Sequence, residues 1–151
     1  MSGKRVDFTS VLDTLGVATD SGVPRFVEAG DGKALARLHL RSPGNSLDSD
    51  VAAITLGKAA AVAAACTALG SGRPPASDDP PRAVELSVHL FRDATAGVLS
   101  AEAETLFRGR STVVVHVKVR DENPGLVAAL VVTQLAGRNQ VATAEPARRA
   151  S

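Results

Sequence analysis

The chain has no tryptophan and no tyrosine, and only four phenylalanines among its 151 residues. A module that reads nucleic acid by stacking bases on aromatic rings is therefore not expected. No excess of either charge is present: the formal net charge is +1. Neither nucleic acid nor an anionic membrane is therefore expected as the main partner. Cys66 is the single cysteine, so no intrachain disulfide can form and a reducing, cytoplasmic location is the default. The first fifteen residues are too polar for the apolar core of a signal peptide. The three histidines, His39, His89 and His116, fall on separate predicted strands without metal-ligand spacing, and no metal site is expected.

One segment dominates what is there. Residues 51–69, VAAITLGKAAAVAAACTAL, contain nine alanines in nineteen positions and read as one helix about 28 Å long. Its only polar residues are Thr55, Lys58 and Thr67. It has no charged face, so burial on nearly all sides is expected. Lys58 and the small alanines argue for a core rod rather than a membrane span. Asp48 and Asp50 stand at its start and Gly70 at its end.

The remainder is mostly strand. A short amphipathic helix is predicted at 7–15, where Phe8, Val11, Leu12 and Leu15 recur at helical spacing. Residues 25–28 and 33–40 read as strands turned around Gly30-Asp31-Gly32. Residues 71–81, SGRPPASDDPP, are a loop by their prolines and a candidate lid. Beyond Arg82 the period is two. Val84, Leu86, Val88 and Leu90 form one apolar face, Leu99, Ala101, Ala103 and Phe107 a second, and Val113, Val115, Val117 and Val119 a third. Residues 126–135 are almost continuously apolar, as in a central or interface strand. The order predicts an α+β domain in which an antiparallel sheet curls around one central helix. Residues 1–137 form that single domain, and 138–151 are expected to be a flexible tail.

Four stretches then fall in a telling order: 85–92 (ELSVHLFR), 96–99 (AGVL), the basic bend Phe107-Arg108-Gly109-Arg110-Ser111, and 121–128 (DENPGLVA). With the alanine-rich helix, and over residues 24–136, they resemble the hotdog-fold acyl-CoA thioesterases of the phenylacetate-degradation type. The resemblance implies a curved antiparallel sheet wrapped around a long central helix. It implies a homodimer or dimer of dimers with an acyl-CoA-type thioester in a cleft between subunits, coenzyme A being part of the substrate and no separate cofactor being needed. It also implies His-Gly-Gly at the helix start and a carboxylate about two turns on. This chain departs from that pattern. Residues 45–51 read NSLDSDV, and Lys58 stands where the family has its acid.

Each candidate residue has two readings. Asp50, with Ser49 as hydrogen-bonding partner and Asp48 as the second acid, is the first choice to activate water beside backbone N–H groups that hold the carbonyl oxygen. The same acids also suit a helix cap and macrodipole. Asn45 can orient that water or stabilise the loop. Lys58 either lays its stem on alanines with the amine in solvent, or places a cation in the cleft to bind a carboxylate or phosphate. Arg108, Arg110 and Ser111 either form a solvated turn or, as the resemblance implies, meet the coenzyme A phosphates. Cys66 reads as a small buried hydrophobe. The expected function is thioester hydrolysis, the alternative a non-catalytic acyl-ligand binder. A dehydratase ranks below both, since no histidine lies between Asn45 and Leu69.

Overall fold

The computed structural model describes residues 24–40, 46–68, 81–95 and 97–136. The helix expected at 7–15, Asn45, all but the last residue of the proline-rich loop, and the tail at 138–151 lie outside these residues. Strands β1 (Arg25–Gly30) and β2 (Lys33–His39) form the expected hairpin. Asp31 and Gly32, at φ 53° and 77°, make the paired left-handed turn that matches the twist of the flanking strands. The Gly32 N–H donates to Thr67 Oγ1 at 2.8 Å, and the Thr67 hydroxyl donates to the Ala64 carbonyl at 2.9 Å. The hairpin turn thus fixes where the helix ends above the sheet.

The helix, α1 (Ser46–Ala68), begins at Ser46 rather than Val51. Asp48 and Asp50 therefore sit inside its first turns and are not its cap. Asp, Ser and Asn favour caps because they compete for backbone hydrogen bonds, which makes this stretch look like a boundary. Contacts from a distant loop instead hold the extra turn. Asp48 still lies in the first turn, where a negative charge suits the macrodipole. From Ala59 to Thr67 every residue is buried. A Cβ on Gly57 would stand 2.8 Å from Leu130 Cδ2, so glycine lets helix and sheet close at that point. Gln134 Nε2, also buried, donates to the Ala61 carbonyl at 2.9 Å. The helix is long and apolar enough to cross a membrane by composition, yet most of it is packed inside the fold.

Strands β3 (Arg82–Leu90), β4 (Val98–Arg108), β5 (Thr112–Arg120) and β6 (Leu126–Leu135) complete one six-stranded antiparallel sheet in the order β1-β2-β4-β5-β6-β3. Val113, Val115, Val117 and Val119 all face the helix and are buried, as the alternation predicts. Two expectations need correction. A bulge between Thr105 and Phe107 places Phe107 opposite Val114, on the outer face, where it is 57% exposed. One extra residue reverses the side on which every later side chain points, so Phe107 does not share the face of Leu99, Ala101 and Ala103. On β3, Leu86, Val88 and Leu90 oppose the inward-facing Val132, Leu130 and Ala128. The helix does not cover them fully, and Leu86 and Leu90 stay exposed.

Candidate functional site

The first turn of α1 is built onto the loop that follows β3. The Ser46 hydroxyl donates to Asp93 Oδ1 at 3.1 Å, and the Ala94 N–H donates to Ser49 Oγ at 2.8 Å. That loop is held from behind. Arg92 Nη1 and Nη2 donate to the two Asp121 oxygens at 3.0 and 2.6 Å, with the carboxylate fully buried. Asp121 also accepts from the N–H groups of Thr95 and Asn123, both at 2.9 Å. Arg92 Nη2 reaches the Gly125 carbonyl at 3.0 Å. The hydrogen bond to Asp121 raises the Arg92 guanidinium above its ordinary range, as a charge-assisted bidentate contact does. The helix start, the β3–β4 loop and the β5–β6 turn are therefore one rigid unit.

Around this unit the helix is open on one side. Leu47 is 73% exposed, Val51 46% exposed, Ile54 half-buried and Lys58 exposed. At 100° per residue these four share the face opposite the sheet. Asp48 and Asp50, both half-buried, flank the lower end of that face. Ser49 is buried, and its oxygen is taken up by the Ala94 amide. It holds the loop in place and does not face the open side. Lys58 lies about 12 Å further along the axis than Asp50, with its ammonium in no ion pair among the described residues. Leu90, also exposed, lies on the helix side at the end of β3, whereas Phe91, 58% exposed, stacks on His89 on the other face of the sheet.

Arg108, Arg110 and Ser111 occupy the β4–β5 bend, tied down by Gly109 N–H to the Thr112 carbonyl at 2.7 Å and Ala136 N–H to the Ser111 carbonyl at 2.8 Å. One chain does not bring them to the acids. The register puts Thr112 opposite Leu135 and Leu135 opposite Arg82, the first residue of β3. The helix start is docked beyond the last residue of that strand. The two groups therefore sit at opposite ends of a sheet roughly 35 Å long.

A concavity of about 470 Å³ lies elsewhere among the described residues, on the outer face of the sheet beside Glu28, Lys33, Glu102, Glu104, His116 and Lys118. Its charges pair across strands: Lys33 with Glu104 at 3.4 Å, and Arg120, beside it, with Glu102 at 2.9 Å. A mixed-charge trough of this kind offers no bed for an acyl chain, and the open helix face does. Cys66 plays no part in either, since burial pushes its thiol up to about 12 and leaves no thiolate nucleophile at neutral pH.

Residue-by-residue reading missed two features. The open stripe of Leu47, Val51 and Ile54 is not visible in the pattern, because the run has no charged face to mark a solvent side and Leu47 lies before the expected helix start. The Arg92–Asp121 lock joins two motifs that stand apart in the sequence. The turn after Asp121 is readable locally, as an aspartate accepting from an N–H two residues on, but nothing local points to an arginine 29 positions away.

A long helix laid in a curved antiparallel sheet of this strand order defines a hotdog-fold protein. Within it, residues 58–128 match the family described as "Thioesterase superfamily", so the segment from Lys58 through the acidic turn carries that superfamily's sequence pattern. No curated protein matches the sequence. Among solved structures, AziG of S. sahachiroi is 26% identical, covering 76% of this chain and 91% of that one at a TM-score of 0.62. The conserved protein PA5202 of Pseudomonas aeruginosa is 24% identical, covering 75% and 87%, also at 0.62. A hypothetical thioesterase of Streptococcus pneumoniae TIGR4, solved with coenzyme A, is 14% identical, covering 82% and 94% at 0.63.

Proposed function

We propose that this chain binds an acyl-CoA-type thioester in a cleft closed by a second copy and hydrolyses it there, as a phenylacetate-degradation-type thioesterase with a non-standard active site. One observation carries the reading: the acid pair and the basic bend lie at opposite ends of the same sheet. A two-fold axis beside β3 pairs that strand antiparallel with its own copy. The beginning of one β3 then meets the end of the other, and the basic bend of each chain comes to the helix start of its partner. Arg108, Arg110 and Ser111 then meet phosphates, while the N–H groups at the start of α1 hold the thioester oxygen. The coenzyme A bound by the pneumococcal protein of the same fold favours this ligand.

Asp50 takes a proton from water, with Asp48 as the second acid and Asn45 as the side chain that orients that water. The water oxygen bonds to the carbonyl carbon. The carbon–sulfur bond then breaks, and the thiolate picks up a proton to leave as free thiol beside the carboxylic acid. Ser49 acts through the loop it fixes. The protein works in the cytoplasm, as a homodimer or dimer of dimers.

The second reading is a hotdog protein that binds an acyl ligand without turnover, and Lys58 in the acid position favours it. Release of free thiol from a panel of acyl-CoA esters decides between them. Under the hydrolytic reading, Asp48→Ala with Asp50→Ala lowers the rate by on the order of 100-fold. Unchanged turnover in that variant removes the acids as base. A rise in melting temperature with intact acyl-CoA and no thiol release establishes the binder, and no response to any ester sinks both readings.

A further inference from the structure

The open face of α1 is apolar over two turns and then meets one cation. Leu47, Val51 and Ile54 supply the apolar part, and Lys58 ends it. Asp48 and Asp50 flank the opposite end of the strip. The surface is therefore polarised along its length, acidic where the helix begins and cationic three turns later. A saturated fatty acyl chain has no use for the cation. If a second copy closes this face, the Lys58 ammonium leaves water, and a desolvated cation without a counter-charge is unfavourable. No described residue of its own chain supplies that charge.

We infer that the acyl group itself supplies it: the site selects thioesters whose acyl chain ends in a carboxylate, held by Lys58 while the methylenes lie on Val51 and Ile54. This rests on the thioester reading above and adds the substrate class. The direction of binding follows from the charges. The free carboxylate is repelled from the Asp48–Asp50 end and drawn to Lys58, which leaves the thioester at the helix start. Length follows from the helix. Val51 and Lys58 are about 10 Å apart along the axis, and a long helical side chain leans back toward the N-terminus by about one turn. The remaining gap suits a short dicarboxylic half-thioester, of glutaryl to adipoyl size.

The test compares adipoyl-CoA with hexanoyl-CoA, which has the same chain length and no terminal charge. Binding to the full chain is measured by calorimetry at low salt, alongside the oligomeric state. The wild type is expected to bind adipoyl-CoA roughly tenfold more tightly, the effect of one partly screened charge-assisted contact. Lys58→Met is expected to abolish the preference, and Lys58→Arg to keep it. Equal binding of the two esters, or a preference that survives Lys58→Met, overturns the inference and leaves the thioester reading standing. The inference also falls if Lys58→Met dissociates the dimer and binding of both esters is lost with it, because the counter-charge then comes from the second copy. Binding of neither ester removes both the inference and the reading it rests on.

Discussion

Cys66 shows how burial alone decides the chemistry of a side chain. It sits among alanines in the buried half of α1, and desolvation raises its thiol from 9.0 to about 12. Below pH 9 the thiol is protonated whether the chain is folded or not, and the contribution to stability is complete. Above pH 9 the unfolded chain loses the proton and the folded one keeps it, so the unfolded state gains. Stability is therefore expected to fall as pH rises from about 9 toward 12. In Cys66→Ala that part of the fall disappears, as read from urea midpoints across the range. A native thiol that reacts with an aromatic disulfide at pH 8 as fast as in urea would contradict this placement. The same burial explains why Cys66 was legible as a hydrophobe: no charged neighbour on the helix could draw out its proton. Lys58 and Ser49 were less legible. Both are polar letters in a helical run, and only packing separates one held by the Ala94 amide from one left in the open.

At the level of elements, α1 and β6 pack closely at Gly57. Replacing a helical glycine by alanine ordinarily stabilises by about 1 kcal/mol. Here the new methyl would lie 2.8 and 2.9 Å from the two Leu130 Cδ atoms. Leu130 is wholly buried, and overfilling a packed core costs about 1–3 kcal/mol. Gly57→Ala is expected to lose about 1 kcal/mol in a urea titration, with unchanged slope. A gain instead would show that Leu130 swings aside freely. The sequence pattern made the helix and all six strands readable, because periods of 3.6 and 2 are imposed by burial on one side. It could not reveal where those periods slip. The bulge beside Leu106 leaves no sign in residue type, yet it moves Phe107 from the core face to the outer face. The helix start was misplaced for a related reason, since Asp48, Ser49 and Asp50 have cap chemistry whether or not the chain stops there.

For the whole molecule, the two edges of the sheet are treated differently. The β1 edge is six residues long, is bulged between Phe26 and Glu28, and carries Arg25 and Glu28. Short, bulged, charged edges resist pairing. The β3 edge is nine residues long, its own bulge is confined to one end between Ala83 and Glu85, and Val84, Leu86, Leu90 and Phe91 around it are exposed. An apolar edge of that length invites another strand, and Leu47 and Val51 extend the surface onto the helix. Pairing β3 with its own copy is then expected to give a dimer at micromolar concentration by sedimentation equilibrium, with a melting temperature that rises with concentration. Leu86→Lys with Leu90→Lys places four like charges across the two-fold axis and is expected to give monomers. Each monomer keeps its own core, because Leu130 and Val132 lie beneath the helix and do not depend on the partner. In the monomeric variant the basic bend has no helix start to meet, and acyl-CoA binding should be lost together with the dimer. A wild-type chain that sediments as a monomer at tens of micromolar, or a monomeric variant that still binds acyl-CoA, would show that one chain carries a complete site and that the separation of its acids from its arginines has been misread.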